Sequence, residues 1–420
     1  MLDKINLVLC GIIMPIFLIL VGFFLLFKLK FFYILHPIKT VKSMLKGGFK
    51  SLTLALAGTL GVGNIVGVAS AIIAGGAGAV FWMWVSAFLV MSIKYTEVTL
   101  AMKHRQIDKN GSCFGGAPYY ISNELSSVIG KKPAFIIACC FALLCTINSL
   151  TTGNLVQVNS VVSLLPVPKL IFGIVFASLV FLVIIGGRKW ISSITAVLIP
   201  ILSAFYISVV IYVVISNSSQ IPTVFSMIFK DAFSFKCATS GFMGYGIMAS
   251  IRYGVSRGIL SNEAGCGTSP TAHASSSTRD IHSQGCLGIF EVFVDTILLC
   301  TLTAVVILIW GKGDTEPMSL IVNAFYGLSG VVGKYGVIIS SLLFSFATVT
   351  CQYYYGIEAL NFLSKSKTAK AIFAVAFAIT TLIGAIIPMA LMWQISDFVI
   401  ALMTISNILC IIFIKNESTV

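Results

Sequence analysis

The chain has 420 residues, 58% of them hydrophobic and only 10% charged, with a mean hydropathy of +1.02, whereas a soluble domain carries roughly 25% charge. So little charge excludes a water-soluble globule, and so many apolar residues exclude disorder. A formal net charge of +13 points either to a nucleic-acid partner or to a membrane topology, and the positions of the charges decide between them.

Helices are the expected spanning element, because the apolar runs are long and lack the roughly 10-residue alternation of a membrane barrel. A spanning helix needs about 20 mostly apolar residues. In chain order, eleven such runs lie near 6–27, 49–77, 79–102, 134–165, 169–187, 191–215, 238–259, 285–311, 335–363, 371–390 and 394–414. The first follows Lys4 and leads into Lys28 and Lys30 without a small-residue cleavage site, so a retained anchor is expected rather than a removed signal peptide. The run 134–165 is long enough to require tilt or extension beyond the bilayer.

The second run is unusual. It contains SLTLALAGTLGVGNIVGVASAIIAGGAGA, with Gly58, Gly61, Gly63 and Gly67 around Asn64. Each glycine weakens a helix by about 1 kcal/mol relative to alanine. A small-residue packing face, with Gly63 and Gly67 at GxxxG spacing, explains the glycines. It does not explain a buried amide among them. A break here frees carbonyl and N–H groups to line a polar cavity at mid-depth. A second interrupted segment runs from Gly241 to Ser277, GFMGYGIMASIRYGVSRGILSNEAGCGTSPTAHASSS. It carries Arg252, Arg257, Asn262 and Glu263, and each charge at the bilayer centre costs about 2.5–3.5 kcal/mol on insertion scales. Such groups are expected to face protein or water, where they serve gating or coupling. A merely polar cytoplasmic loop is the competing reading.

Basic residues sort across the spans. With the connection 31–48 placed in the cytoplasm, 21 of the 27 Lys and Arg fall on that side, Arg252 and Arg257 included. Six fall opposite: Lys4, Lys169, Lys230, Lys236, Lys312 and Lys334. That asymmetry follows the positive-inside rule, with the N-terminus outside and the C-terminus in the cytoplasm. The charge therefore reports topology and not a nucleic-acid partner. Setting the first helix aside, the remaining ten runs split five and five, each five opening on a glycine-interrupted helix and entering from opposite sides. The expected division is an extra helix (1–30), a basic cytoplasmic connection (31–48), a first five-helix repeat (49–216), an extracellular connection (217–237), a second repeat (238–415) and a cytoplasmic tail (416–420). An inverted repeat points to a secondary transporter with its site where the broken helices meet. Half-helix N-termini suit a carboxylate. Freed carbonyls near Gly61, with the hydroxyls of Thr59 and Thr348, suit Na⁺.

The phrases GVGNIVGVASAIIAGGAGAVFWMW (Gly61 to Trp84), KYTEVTLAMKHR (Lys94 to Arg105), GGAPYYI (Gly115 to Ile121) and GVSRGILSNEAGCGTSP (Gly254 to Pro270) follow one another in order. Weaker echoes are GNLVQVNS (Gly153 to Ser160), VFVDT (Val292 to Thr296) and FATVTCQYYYG (Phe346 to Gly356). Over roughly residues 50 to 360 the chain resembles the alanine or glycine:cation symporters, the sodium–amino-acid symporter family. The resemblance implies an all-α polytopic protein of the cell membrane. It implies the leucine-transporter-type 5+5 inverted repeat with one extra N-terminal helix, about eleven spans in all. The implied activity is co-transport of Na⁺ with a small neutral amino acid, alanine or glycine, without a cofactor. Carried over by position, Gly63 and Asn64 contact substrate, and Gln157 and Thr348 are further pocket candidates. The stretch Ser261 to Gly267 matches the SNEAG motif, with gating as its alternative role.

Departures bear on specificity. Val62 stands where the family has threonine, and Ala77 replaces a proline. Gln352 stands where a tryptophan is usual, and Ile357 where a glutamate is, although Glu358 follows. An amide in place of an aromatic wall leaves room for a larger or more polar substrate, and H⁺ coupling is a further alternative. Among the remaining charges, Glu97 is expected to pair with Lys94. Glu291 and Asp295, at i and i+4, share a helix face, suited either to cation coupling or to pairing with Arg257. Asp397 is expected to be solvated, and the Phe81, Trp82 and Trp84 cluster to anchor or pack. Four scattered histidines and eleven cysteines show no metal-type spacing. An ion channel lacks its repeated filter here, and a membrane-embedded enzyme built on Glu263 with His273 or Ser261 lacks a nucleophile–base phrase. Oligomeric state is not legible from the sequence.

Overall fold

The structure, a computed structural model, describes residues 5–6, 8–109, 111–234, 246–314 and 316–413, with backbone alone at 389–391. The first part of the expected run 238–259, together with Lys4, Lys236, Lys415 and the tail 416–420, lies outside the described residues.

Apart from one two-stranded hairpin, β1 (Gln106–Ile107) with β2 (Cys113–Phe114), the regular elements are helices. They are α1 (Leu9–Lys28), α2 (Pro37–Met44), α3 (Phe49–Thr59), α4 (Val66–Gly75), α5 (Gly78–Lys103), α6 (Ala117–Ile129), α7 (Lys131–Val162) and α8 (Lys169–Ile185). Then follow α9 (Gly187–Ser216), α10 (Ile221–Ala232), α11 (Ile247–Asn262), the one-turn α12 (Pro270–Ala274), α13 (Ile281–Trp310), α14 (Pro317–Leu363), α15 (Lys367–Ile386) and α16 (Met389–Ile412).

Among the described residues, eight helices are long and apolar enough to cross a membrane, and the bent pair Phe49–Thr59 with Val62–Gly75 makes a ninth. The runs expected at 169–187 and 238–259 are met by shorter helices, α8 and α11. The tight pairing of helices along the chain follows from composition: each apolar stripe has another helix or lipid as its only good neighbour. Two buried clusters form the core. One gathers α3, α4, α8, α9 and α14, and the other gathers α1, α5, α7 and α16.

Both expected interruptions are present. After Thr59 the chain leaves the helix, with Leu60 at ψ 81° and Gly61 extended, takes one 3₁₀ turn over Val62–Asn64, and resumes 62° off axis. The second break follows Asn262, where Glu263 (φ 50°), Gly265 (φ 85°) and Gly267 (φ 73°) adopt left-handed conformations, which glycine takes freely and other residues rarely. Two π-helical stretches, Thr151–Val156 in α7 and Phe293–Cys300 in α13, widen the helices beside the breaks.

The tally of basic residues needs one correction. A Cβ on Gly11, near the start of α1, would meet Arg252 at 2.5 Å, and Arg257 pairs with Asp397 at 3.8 Å. Both arginines therefore lie at the Gly11 end of the bundle and not at the end of Lys28 and Lys30. Moving them leaves 19 against 8, and the asymmetry keeps its direction.

Helices α11 and α5 approach closely at Gly254, where an added Cβ would lie 2.2 Å from the Ala79 carbonyl oxygen, whereas a Cβ on Gly67 would meet nothing within 4 Å. Gly254→Ala should therefore destabilise by about 1–3 kcal/mol through overpacking. Gly67→Ala should be neutral or stabilising by up to about 1 kcal/mol. Thermal unfolding of the two variants in detergent checks the contrast, and equal midpoints would refute the close approach.

Candidate functional site

The two breaks meet. A Cβ on Gly63 would sit 3.3 Å from the Cα of Ser261, and the Asn64 side chain joins them. Its Nδ2 donates to Ser261 Oγ (2.9 Å), to Asp295 Oδ1 (2.7 Å) and to the Asp295 carbonyl (3.0 Å). Its Oδ1 accepts from the Gly61 N–H at 3.1 Å. Ser261 in turn donates to Asp295 Oδ2 at 2.9 Å, and Thr296 donates to the same oxygen at 2.8 Å. One amide thus caps the 3₁₀ turn, the second break and a buried carboxylate at once.

The backbone groups freed by the first break are largely satisfied by side chains, as burial requires. Gln157 Oε1 accepts from the Val62 N–H at 3.0 Å. Thr348 donates to the Leu60 carbonyl at 3.1 Å, and Thr303 to the Asn64 carbonyl at 2.9 Å. Gly61 is held between these groups: a Cβ there would lie 2.7 Å from Gln157 Oε1 and 2.8 Å from Thr348 Oγ1.

A cavity opens between the breaks, lined by Gly58, Thr59, Val62, Gly63, Thr152, Val156, Gln157, Leu260, Ser261, Glu263 and Trp393. Its volume is about 20 Å³, space for a water and not for an amino acid. Of the residues expected from sequence, Thr59, Gly63, Gln157, Ser261 and Glu263 line it. Asn64, Gly61, Thr348, Gln352, Asn262, Asp295 and Arg257 stand behind or beside that wall. The Asn64 amide, expected to contact substrate, makes hydrogen bonds within the protein through both its oxygen and its nitrogen. Gln352 reaches the wall indirectly, donating through Nε2 to Glu263 Oε1 at 2.9 Å. Asn262 braces the break itself, with Nδ2 donating to Thr296 and Oδ1 accepting from the Ala264 N–H. Leu260, Thr152 and Trp393 were missed. The polar TTG phrase at 151–153 inside an apolar run was the available signal for Thr152, and nothing local marks Trp393.

The ion pairs differ from expectation. Lys94, fully buried, lies 3.4 Å from Glu291 and donates to the Asn262 carbonyl (2.9 Å) and to Ser269 Oγ (2.7 Å). Glu97 does not pair with Lys94: its carboxylate accepts from the Gly265 and Gly267 N–H groups at 3.1 and 3.0 Å and from the Asn407 amide. Arg257 meets neither Glu291 nor Asp295. It pairs with Asp397, which is half-buried, and lies 5.3 Å from the Trp393 ring. From Glu291 a chain of bonds continues outward. His273 Nε2 lies 3.0 Å from Glu291 Oε2, the Gln284 amide reaches His273 Nδ1 and Ser51 Oγ, and its oxygen accepts from the Gly48 N–H. The amide donor at Nδ1 leaves the ring proton on Nε2, aimed at Glu291. The second break is thereby tied to the start of α3.

Glu263 and Asp295 have no cationic partner within ion-pair distance among the described residues. Their hydrogen-bond donors are neutral: Asn64, Ser261 and Thr296 for Asp295, and Thr268 and Gln352 for Glu263. The surrounding donors and oxygens suit binding and positioning, and no nucleophile–base pair lines the cavity.

The family model described as "Sodium:alanine symporter family" matches residues 1–419. The chain belongs to the sodium:alanine symporter family. Similar proteins include the sodium/alanine symporter AgcS of Methanococcus maripaludis, 35% identical over 87% of this chain and 81% of that one. An uncharacterized transporter of Haemophilus influenzae is 34% identical over 87% and 81%. The probable sodium/glutamine symporter GlnT of Bacillus subtilis is 32% identical over 94% and 84%. The sodium:alanine symporter family is one of transporters.

For this family member, Asn64→Ala should lower stability, because a buried carboxylate loses a hydrogen bond worth about 1.5–3 kcal/mol. A lowered melting midpoint in detergent is the expected result. An unchanged midpoint combined with lost ligand binding would place the amide against the ligand instead.

Proposed function

We infer that this chain is a secondary active symporter of the cell membrane. It couples inward Na⁺ movement to uptake of a small neutral amino acid of the alanine or glycine kind by alternating access. The observation that carries the reading is the meeting of two helix interruptions around a small cavity, in a chain of this family. In this reading the fold is a 5+5 inverted repeat with one extra N-terminal helix and eleven spans, α8 and α11 included. The N-terminus faces outward and the C-terminus the cytoplasm.

The polarity of the breaks assigns the parts. The C-terminal end of α3, with Thr59 and the carbonyls near Gly61, offers oxygen ligands to the cation, with Thr348 behind them. The N–H groups entering α4, at Gly63 and beyond, suit the substrate carboxylate. Glu263 and Gln157 meet the ammonium, with Gln352 bracing Glu263. Asp295, held by Asn64 and Ser261, senses the cation and couples it to both breaks, and Asn262 keeps the second break in register. Because the cavity is too small for an amino acid, Trp393 and Leu260 must move for entry. The Arg257–Asp397 pair over Trp393 closes that side.

A second reading keeps the mechanism and changes the cargo. Gln352 replaces an aromatic wall, and GlnT, similar over nearly the whole chain, carries the name of a glutamine symporter. A more polar amino acid then fits, or H⁺ replaces Na⁺ at Glu263 or Asp295.

Uptake of radiolabelled alanine into proteoliposomes, with a sodium gradient, a proton gradient or neither, tests the reading. Saturable uptake driven by sodium is expected. Non-saturable flux indifferent to both gradients would overturn symport. On the same vesicles Gln352→Trp should narrow the substrate range toward glycine and alanine by filling space beside Glu263. An unchanged ranking in a competition panel of neutral amino acids would remove Gln352 from specificity.

A further inference from the structure

The connection between α1 and α3 is not used by the transport site, and its chemistry is distinctive. From Lys28 to Lys50 it carries six lysines and no acidic residue. Within it, α2 presents three faces. At 3.6 residues per turn, Thr40 and Met44 point to one side, where Thr40 is buried and Met44 packs on the core. Ile38, Val41 and Leu45 form a second stripe, exposed at 72%, 56% and 83%. Lys39, Lys42 and Lys46 form a third stripe directly beside it, exposed along its length.

The orientation of α2 is fixed. Just after it, the Gly48 N–H donates to Gln284 of α13 at 2.9 Å, and a Cβ on Gly47 would meet Leu287 at 2.4 Å. The helix therefore cannot roll its apolar stripe inward. It holds that stripe away from the protein at the end of α1 where the chain leaves the span, with the lysines alongside. An apolar stripe flanked by cations matches the boundary between acyl chains and anionic headgroups, and the lysine stems can lie along that apolar surface while their ammonium groups reach the phosphates.

We propose that α2 is an interfacial element that recruits anionic phospholipid, with Ile38, Val41 and Leu45 seated among the acyl chains and Lys39, Lys42 and Lys46 binding the headgroups. A basic cluster immediately after a spanning helix attracts anionic lipid electrostatically. The occupant is the leaflet and not a protein partner, because the charge is of one sign and the narrow apolar stripe follows in the chain directly after α1, a helix apolar enough to cross a membrane on which Phe23, Phe24 and Phe27 are exposed.

The test uses full-length protein carrying Leu45→Trp in proteoliposomes, with the unsubstituted protein as blank for its five native tryptophans. Quenching of the added tryptophan by brominated phosphatidylglycerol is compared with quenching by brominated phosphatidylcholine at equal mole fraction. Expected is quenching by both, with phosphatidylglycerol enriched by about five-fold per engaged lysine. In K39Q/K42Q/K46Q the two lipids should quench equally, and in K39R/K42R/K46R the preference should persist. No quenching by either lipid, as a covering protein surface would give, overturns the proposal. So does equal quenching in the native sequence, or a preference that survives loss of the three charges.

Discussion

Six ionisable side chains around the two breaks, Lys94, Glu97, Glu263, His273, Glu291 and Asp295, are buried, and the rest of the site depends on satisfying them. Burying a charge without partners costs far more than a fold can tolerate. Two groups that can be cationic serve four carboxylates here, and both lie against Glu291. The other three carboxylates are left to neutral donors: glycine amides and Asn407 for Glu97, Thr268 and Gln352 for Glu263, and Asn64, Ser261 and Thr296 for Asp295. Two of those donors, the Gly265 and Gly267 N–H groups, exist only because a helix is interrupted. An intact helix would keep the Gly265 and Gly267 N–H groups in its own ladder. The breaks and the buried acids are thus one structural fact, since each satisfies what the other leaves open.

The same arrangement gives coupling a physical route. Asn64 belongs to the first break, Ser261 to the second and Asp295 to α13, and they share one set of hydrogen bonds. On the symport reading, a cation that takes up lone pairs of Asp295 weakens what holds the breaks together, so occupancy at one point is felt by both helices. Lys94 extends the linkage from the Asn262 carbonyl to Glu291. His273 and Gln284 then carry it to Ser51 and Gly48 at the start of α3. Every member except Gly48 is buried to 4% exposure or less, so these bonds are shielded from bulk solvent.

The backbone logic of this protein was legible in its sequence, and the partners of its charges were not. Glycines around Asn64 marked the first break, and the SNEAG phrase marked the second, because helix stability depends on residues close in sequence. Which acid meets which base depends on neighbours across the bundle. Glu291 and Asp295 do lie on one helix as i and i+4, yet the π-helical stretch at Phe293–Cys300 begins between them. One turns to Lys94 and the other to Asn64. That stretch has no composition signature. Arg252 and Arg257 were misplaced for a related reason: a tally by span assigns each charge to the nearer end, and both arginines meet groups far away in sequence, Arg252 beside Gly11 and Arg257 at Asp397. Glu97 was expected to pair with Lys94, three residues earlier. Two glycine amides placed by left-handed turns compete better, and such turns are visible only once the chain is folded.

Gln352 shows how a departure from the family's pattern takes on meaning from its contacts. As an amide beside a cavity it suggested room and polarity. In place, its Nε2 donates to Glu263 while its Oε1 is buried without a hydrogen-bond partner, and Gly153 leaves no space for it to retreat, since a Cβ there would lie 2.5 Å from the Gln352 Cβ. A tryptophan at this position donates only through its indole N–H, from a much larger ring. The substitution therefore changes the volume beside Glu263 and the donor available to its carboxylate together. An unpaired acceptor held next to an acid at the cavity wall is unsatisfied in this arrangement, and a ligand bringing a donor would relieve it. On the symport reading, the residue that limits the size of the cargo is then also one that holds Glu263.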